Sequence, residues 1–232
     1  PALLGVFIAA PLFSREFEQG TNLLAWSQSI TRLRWASTKL GLIAGMVLVS
    51  AAALGVLVIW WHAPLDLANF DGPWSAFDIE GIAPVAYAAV ALALGMLAGL
   101  GIRRAVPAMA LTLFVFVGLR VFIAQIRPHF LSPVSGAATD LRQGSWTVST
   151  NYYADNQGHQ LSLDQVNSVM SGYNGPSASG LMTYMHQHGV NLFTDYQPLE
   201  RFWTFQLIEA AIFFGLALVL LAASLWWLQR RA

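Results

Sequence analysis

Apolar residues in this chain fall in blocks about as long as a bilayer's hydrocarbon core requires, roughly 17 to 25 residues at helical rise. Leu40 to Trp61 is rich in Ala, Val, Leu and Gly without a charge, and Pro84 to Ile102 repeats that composition in slightly shorter form. Ala105 to Ile126 carries one charge, Arg120, and Thr204 to Leu228 carries one, Glu209. Each block predicts a complete transmembrane helix. A shorter apolar run, Ala2 to Phe13, cannot cross a membrane. No basic segment precedes it and no small-residue cleavage site follows, so it reads as the inner half of a helix whose beginning is missing rather than as a signal peptide.

The polar stretches have their own grammar. From Arg127 to Trp203 the chain is too long and too polar for an ordinary connection. Asn156-Gln157-Gly158 reads as a turn after an extended piece carrying Trp146, Val148, Tyr152 and Tyr153. Ser162 followed by Gln165 is a capping-box pattern opening a helix through about Met170. A second short helix is expected from Ser177 to His188, with Gly189 placed to end it. The fold class expected is an all-α polytopic membrane protein of four complete transmembrane helices plus an N-terminal half-helix, with a mixed segment before the last helix. Its regions are 1–13, 14–39, 40–126 with a loop at 62–83, 127–203 and 204–232.

Composition agrees, since 56 % of residues are apolar and 10 % charged, with mean hydropathy +0.54. A zero formal net charge argues against a nucleic-acid partner. The absence of cysteine excludes disulfides and thiolate chemistry. Charge placement sets orientation. Arg15, Arg32, Arg34 and Lys39, then Arg103 and Arg104, then Arg230 and Arg231 fall on one side, which the positive-inside rule makes cytoplasmic. The loop 62–83 has Asp66, Asp71, Asp78 and Glu80 but no Lys or Arg. It and residues 127–203 are therefore expected outside, in a plasma-membrane protein whose chain end is cytoplasmic. Trp60, Trp61, Phe202 and Trp203, and at the other side Trp35, Trp226 and Trp227, suit interfacial belts, although packing explains any single Trp equally well.

Two features could carry function. Arg15-Glu16-Phe17-Glu18-Gln19-Gly20-Thr21, followed by Leu23, Leu24, Trp26, Ser27 and the basic Arg32, Arg34 and Lys39, is too polar to span and too apolar to be a free tail. It reads as an amphipathic helix on the cytoplasmic face, broken near Gly20 and meeting lipid headgroups; an interfacial helix without a partner is the plainer reading. Arg120 and Glu209 each lie about five or six residues from the outer end of a span, about 8 to 9 Å deep. A lone charge there costs at least a few kcal/mol. Pairing would relieve it and hold the last two spans together near an outer gate, whereas independent snorkelling is the alternative.

Other patterns carry less. His186 and His188 are two apart and do not share a helix face, so with His159 and Asp195 they read as ordinary exposed side chains rather than a metal site. Asp155 to Asp164 fails the EF-hand order. Gly41 with Gly45 and Gly95 with Gly99 permit close helix packing. No phosphate-binding loop ending in Gly-Lys-Ser/Thr and no Gly-x-Ser-x-Gly elbow occurs, so no catalytic residue is assigned.

The run Arg15 to Thr21 before a basic segment and a long span resembles the permease subunits of ABC-2-type transporters, particularly those of actinobacteria, in which an acidic-x-acidic-x-Gly-Thr pattern marks a cytoplasmic coupling region. The stretch Tyr196 to Gln206, with Glu209 and the closing Arg230-Arg231, is similar to the same family. The long segment before the last span departs from relatives that have only short re-entrant helices there. The resemblance implies that Glu16, Glu18, Gly20, Thr21, Leu24, Trp26, Arg32 and Arg34 couple to an ABC ATPase subunit. It implies that ATP and Mg bind on that partner, with no cofactor in this chain, and that a second permease subunit, identical or different, completes the path. The cargo stays open among lipid, peptide, antibiotic and other amphiphile. A membrane-anchored enzyme or sensor working through residues 127–203 is the alternative. A proton-driven transporter ranks third, because Glu209 is essentially the one intramembrane acid.

Overall fold

A computed structural model describes residues 1–20, 31–66, 72–138 and 141–231. The chain forms two compact units, Pro1–Ala63 with Ala76–Phe130 and Trp203–Ala232, and Pro64–Ser75 with Leu131–Phe202.

In the first unit a helical run opens the chain: α1 (Ala2–Leu4), a π-helical stretch (Gly5–Ala9) and α2 (Ala10–Glu18). The run ends at Gln19 and Gly20, the latter at φ +69°, a left-handed conformation that glycine adopts without steric cost. Then come α3 (Arg32–Asp66), α4 (Ala83–Ile102), α5 (Ala105–Ile126) with a 3-10 turn at Arg127–His129, and, after the second unit, α8 (Phe202–Arg231). Among the described residues four helices are long and apolar enough to cross a membrane: Arg34–Pro64, Ala83–Ile102, Ala105–His129 and Leu199–Arg230. Arg32, Arg34 and Lys39 therefore lie on the first turns of the helix that carries Leu40 to Trp61, because nothing between Arg32 and Leu40 breaks an α-helix.

The hub is α4. Its Ala86, Ala88, Val90, Ala91, Ala93 and Met96 are fully buried, and its small side chains let the opening helix come within backbone contact. A Cβ on Gly95 would lie 2.6 Å from both Ala9 Cβ and the Gly5 carbonyl oxygen, and one on Gly99 would lie 2.6 Å from the Ala10 carbonyl oxygen. Gly41 and Gly45 on α3 have no such neighbour among the described residues. Phe13, Trp35, Met96, Leu100 and Leu228 form a core cluster at one end, where Phe13 and Phe17 meet Trp35 edge-on. Two residues join α4 to α5. Arg103 takes a left-handed conformation (φ +57°) and Arg104 an extended one, so the two helices run antiparallel.

The second unit contains a small sheet, which limits the all-α description to the membrane helices. Strand β4 (Asn191–Gln197) pairs antiparallel with β1 (Val134–Ala137), β2 (Trp146–Thr147) and β3 (Tyr152–Ala154). The register places Val134 opposite Tyr196 and Tyr152 opposite Phe193. Helix α6 (Leu163–Ser171) starts with a complete capping box, in which the Ser162 hydroxyl accepts from Gln165 N–H and Gln165 Oε1 accepts from Ser162 N–H. Helix α7 (Ala178–Gln187) is capped by Ser177, and Gly189 follows it at φ +76°. Val166, Met185 and Val190 close a core between the two helices. Trp74 stacks on Trp146 at 5.2 Å and meets Phe202 edge-on at 5.3 Å.

Candidate functional site

Charged side chains converge at one end of the helical unit. Glu209, on the second turn of α8, is fully buried. Its Oε1 accepts from Arg120 Nη1 at 2.7 Å, from Arg127 Nη2 at 3.0 Å and from the Tyr87 hydroxyl at 2.6 Å, and its Oε2 accepts from Arg127 Nε at 2.7 Å. Both arginines also reach Asp78, Arg120 Nη2 at 3.0 Å and Arg127 Nη2 at 2.5 Å. Two guanidinium groups thus face two carboxylates, and the cluster is neutral.

Aromatic faces insulate it. The Arg120 guanidinium lies 3.8 Å above the Tyr87 ring, which meets Phe213 edge-on at 4.9 Å, and Arg127 lies 4.2 Å above Phe77. Arg120 and Arg127 are only 17 % and 11 % exposed, while Asp78 is half-exposed. Burial pushes the Asp78 carboxyl up, but Arg127 and Arg120 outweigh it and hold the group below the usual carboxylate range. One turn before Glu209, Gln206 accepts from Ala83 N–H at 2.9 Å and donates to the carbonyls of Phe77 and Glu80 at 2.9 and 3.3 Å. The start of α4 is thereby bound to α8.

Arg120 and Glu209 are therefore brought together, but as two members of a larger set. Sequence reasoning missed Asp78, Tyr87, Arg127 and Gln206. Two of them carried a signal, since Arg127 follows Arg120 by two helical turns and Gln206 precedes Glu209 by three residues, which puts each on its partner's face. Nothing in spacing linked Asp78 to Arg120 and Arg127, more than forty positions away, or Tyr87 to Glu209, 122 positions away.

The acidic pair of the opening helix lies at the other end of α5. Glu16 forms an ion pair with Lys39, and Glu18 Oε2 accepts the Ala105 backbone N–H at 3.1 Å. Arg103 lies 5.1 Å above the Phe17 ring and Lys39 lies 5.0 Å from the Trp35 ring centre. Gly20 ends the helix. Arg32 and Arg34 begin α3, where Arg34 N–H donates to Thr31 Oγ1 at 3.3 Å. Thr21, Leu24 and Trp26 lie outside the described residues.

In the second unit His186 and His188 diverge, with His188 Nδ1 at 2.8 Å from the Tyr184 carbonyl and His186 Nδ1 against Asn191 Oδ1. Among the described residues no group of three or more His, Cys, Asp or Glu is placed to hold a metal ion.

The family model described as ABC-2 membrane transporter related matches residues 1–127, more than half of the chain. The chain belongs to that family. No curated protein and no solved structure matches it. As an ABC-2-related protein with four helices fit to span a bilayer, it is a multi-pass membrane component of the transport type rather than an enzyme. The matched stretch of this family member contains Glu16, Glu18, Asp78, Tyr87, Arg120 and Arg127.

Proposed function

We propose that the chain is the membrane-spanning permease subunit of an ATP-driven exporter of the actinobacterial type, working in the plasma membrane with ABC ATPase subunits that bind ATP and Mg, and with a second permease subunit. The basic ends would face the cytoplasm and residues 127–203 the exterior. The residue-level support beside the family match is the way Glu16 and Glu18 tie one helix end to two others. A force applied through residues 19–31 reaches the start of α3 through Lys39 and the start of α5 through Ala105. Stiff helices then carry it across, about 33 Å for the 22 residues of α5 at 1.5 Å each. The neutral cluster around Glu209 ties the far ends of α5 and α8, so these helices would move together.

Purification from native membranes in mild detergent tests this. A stoichiometric ATPase whose turnover falls when Glu16 or Glu18 is replaced supports the reading. A fully active assembly in which no ATPase is present overturns it and favours a membrane-anchored enzyme or sensor, for which the separate core of residues 131–202 would be the working part.

A further inference from the structure

Helix α7 presents Met182, Met185 and His186 at positions i, i+3 and i+4, so the three side chains share one helix face. All three line one cavity of about 360 Å³, together with Tyr153 and Asn191. Met185 is 4 % exposed and packs with Val166 and Val190, an ordinary use of methionine as a gap-filler. Met182 has no such use. It is 59 % exposed, and its thioether adds nothing to the core that a leucine would not.

The imidazole beside it is oriented. Asn191 Nδ2 donates to Asn156 Oδ1 at 2.7 Å, which turns Asn191 Oδ1 toward His186 Nδ1. An amide oxygen only accepts, so Nδ1 carries the hydrogen and the neutral ring keeps its lone pair on Nε2. A ring nitrogen fixed by an amide oxygen, with the other nitrogen free to donate electrons, is the arrangement that prepares histidine as a metal ligand.

We propose that Met182, Met185 and His186 form a binding site for Cu(I). Thioether sulfur is soft and selects Cu(I) over the harder divalent ions, and imidazole is a ligand it accepts. All three donors are neutral, which suits a monovalent cation without a carboxylate. With no cysteine in the chain, thioethers are its softest donors. His188 takes no part, because its ring lies tilted against Tyr184 with centroids 4.0 Å apart and lines a separate cavity with Asp155 and Gln165. This site is independent of the transport reading.

The test is an anaerobic titration of the full chain in detergent with Cu(I) against a colorimetric chelator, with Zn(II) alone in parallel. One equivalent of Cu(I) is expected. Met182→Leu and His186→Gln, at exposed positions that leave the thermal unfolding midpoint unchanged, each weaken Cu(I) binding by at least about tenfold. Asn191→Ala, which removes the acceptor that orients His186 Nδ1, weakens it by about 10- to 100-fold, while His188→Gln leaves it unchanged. X-ray absorption of the bound metal shows sulfur together with nitrogen neighbours. Absence of stoichiometric Cu(I), affinity unmoved by Met182→Leu and His186→Gln, loss on His188→Gln, or a metal environment without sulfur each overturns the proposal.

Discussion

The carboxylate of Glu18, in the last turn of α2, accepts the backbone N–H of Ala105, the first residue of α5, at 3.1 Å across 87 positions of sequence. An α-helix begins with N–H groups that have no partner within it, and the helix dipole favours negative charge there. Glu18 meets both needs. Glu18→Ala should therefore destabilise the protein by about 1 kcal/mol. Glu18→Gln, which keeps the acceptor and loses the charge, should cost about 0.3 to 1 kcal/mol. Thermal unfolding in detergent reads both, and equal midpoints for the alanine variant and the parent would remove the cap.

Glu209 carries more weight, because it is fully buried and partners two largely buried guanidinium groups at once. Glu209→Ala should cost about 3 to 5 kcal/mol, the range found when one partner of a buried ion pair is removed. Tyr87→Phe, which removes one hydrogen bond to a charged group, should cost about 1.5 to 3 kcal/mol.

Exchanging the charges at the two positions should not rescue the loss. With Arg120→Glu and Glu209→Arg combined, the guanidinium at 209 would face Arg127 in place of the carboxylate that Arg127 Nε and Nη2 now contact at 2.7 and 3.0 Å. The double variant should be no more stable than either single one, whereas an isolated pair would recover. A double-mutant cycle of unfolding midpoints distinguishes the two.

Asp78 makes the protein acid-sensitive in a defined direction. Its carboxyl is held below the ordinary value of about 3.9 by Arg127 and Arg120 despite its burial. A depressed folded value stabilises above the unfolded value and loses that stabilisation as pH falls through the folded one. The stability gap between the parent and Asp78→Asn should thus be full at neutral pH and shrink below about pH 4. A gap that widens on acidification would reverse the sign.

Glycines of the same sequence spacing should respond oppositely to substitution. Gly95→Ala places a methyl 2.6 Å from Ala9 Cβ and the Gly5 oxygen, and overpacking of that kind costs about 1 to 3 kcal/mol. Gly41→Ala meets nothing within 4 Å among the described residues and should be neutral or stabilising by up to about 1 kcal/mol, as glycine is a poor helix former. Melting of the two variants side by side decides it.

Much of this molecule was legible from local pattern. Spans such as Ala105 to Ile126 announce themselves because a bilayer demands a long apolar helix whatever its neighbours are. The capping box at Ser162 and Gln165 and the turn at Gly158 are equally local, since each satisfies backbone groups within a few residues. The coupling assignments to Glu16 and Glu18 rested on family resemblance, and spacing had no means of indicating that Lys39 and Ala105 are their contacts within the chain.

Sequence by itself determined which blocks, such as Leu40 to Trp61 and Ala105 to Ile126, are apolar helices of membrane length, where the short helices after Ser162 and Ser177 begin, and that Arg120 and Glu209 need polar company. Tertiary structure alone decided what that company is. Asp78, Tyr87, Arg127 and Gln206 join them because α4, α5 and α8 meet at one end. It likewise decided that Gly95 and Gly99 are contact points while Gly41 and Gly45 are not. The physical reason is the same in each case: period and hydropathy are properties of one segment, whereas a guanidinium's partner or a glycine's necessity depends on which surface another segment brings to it.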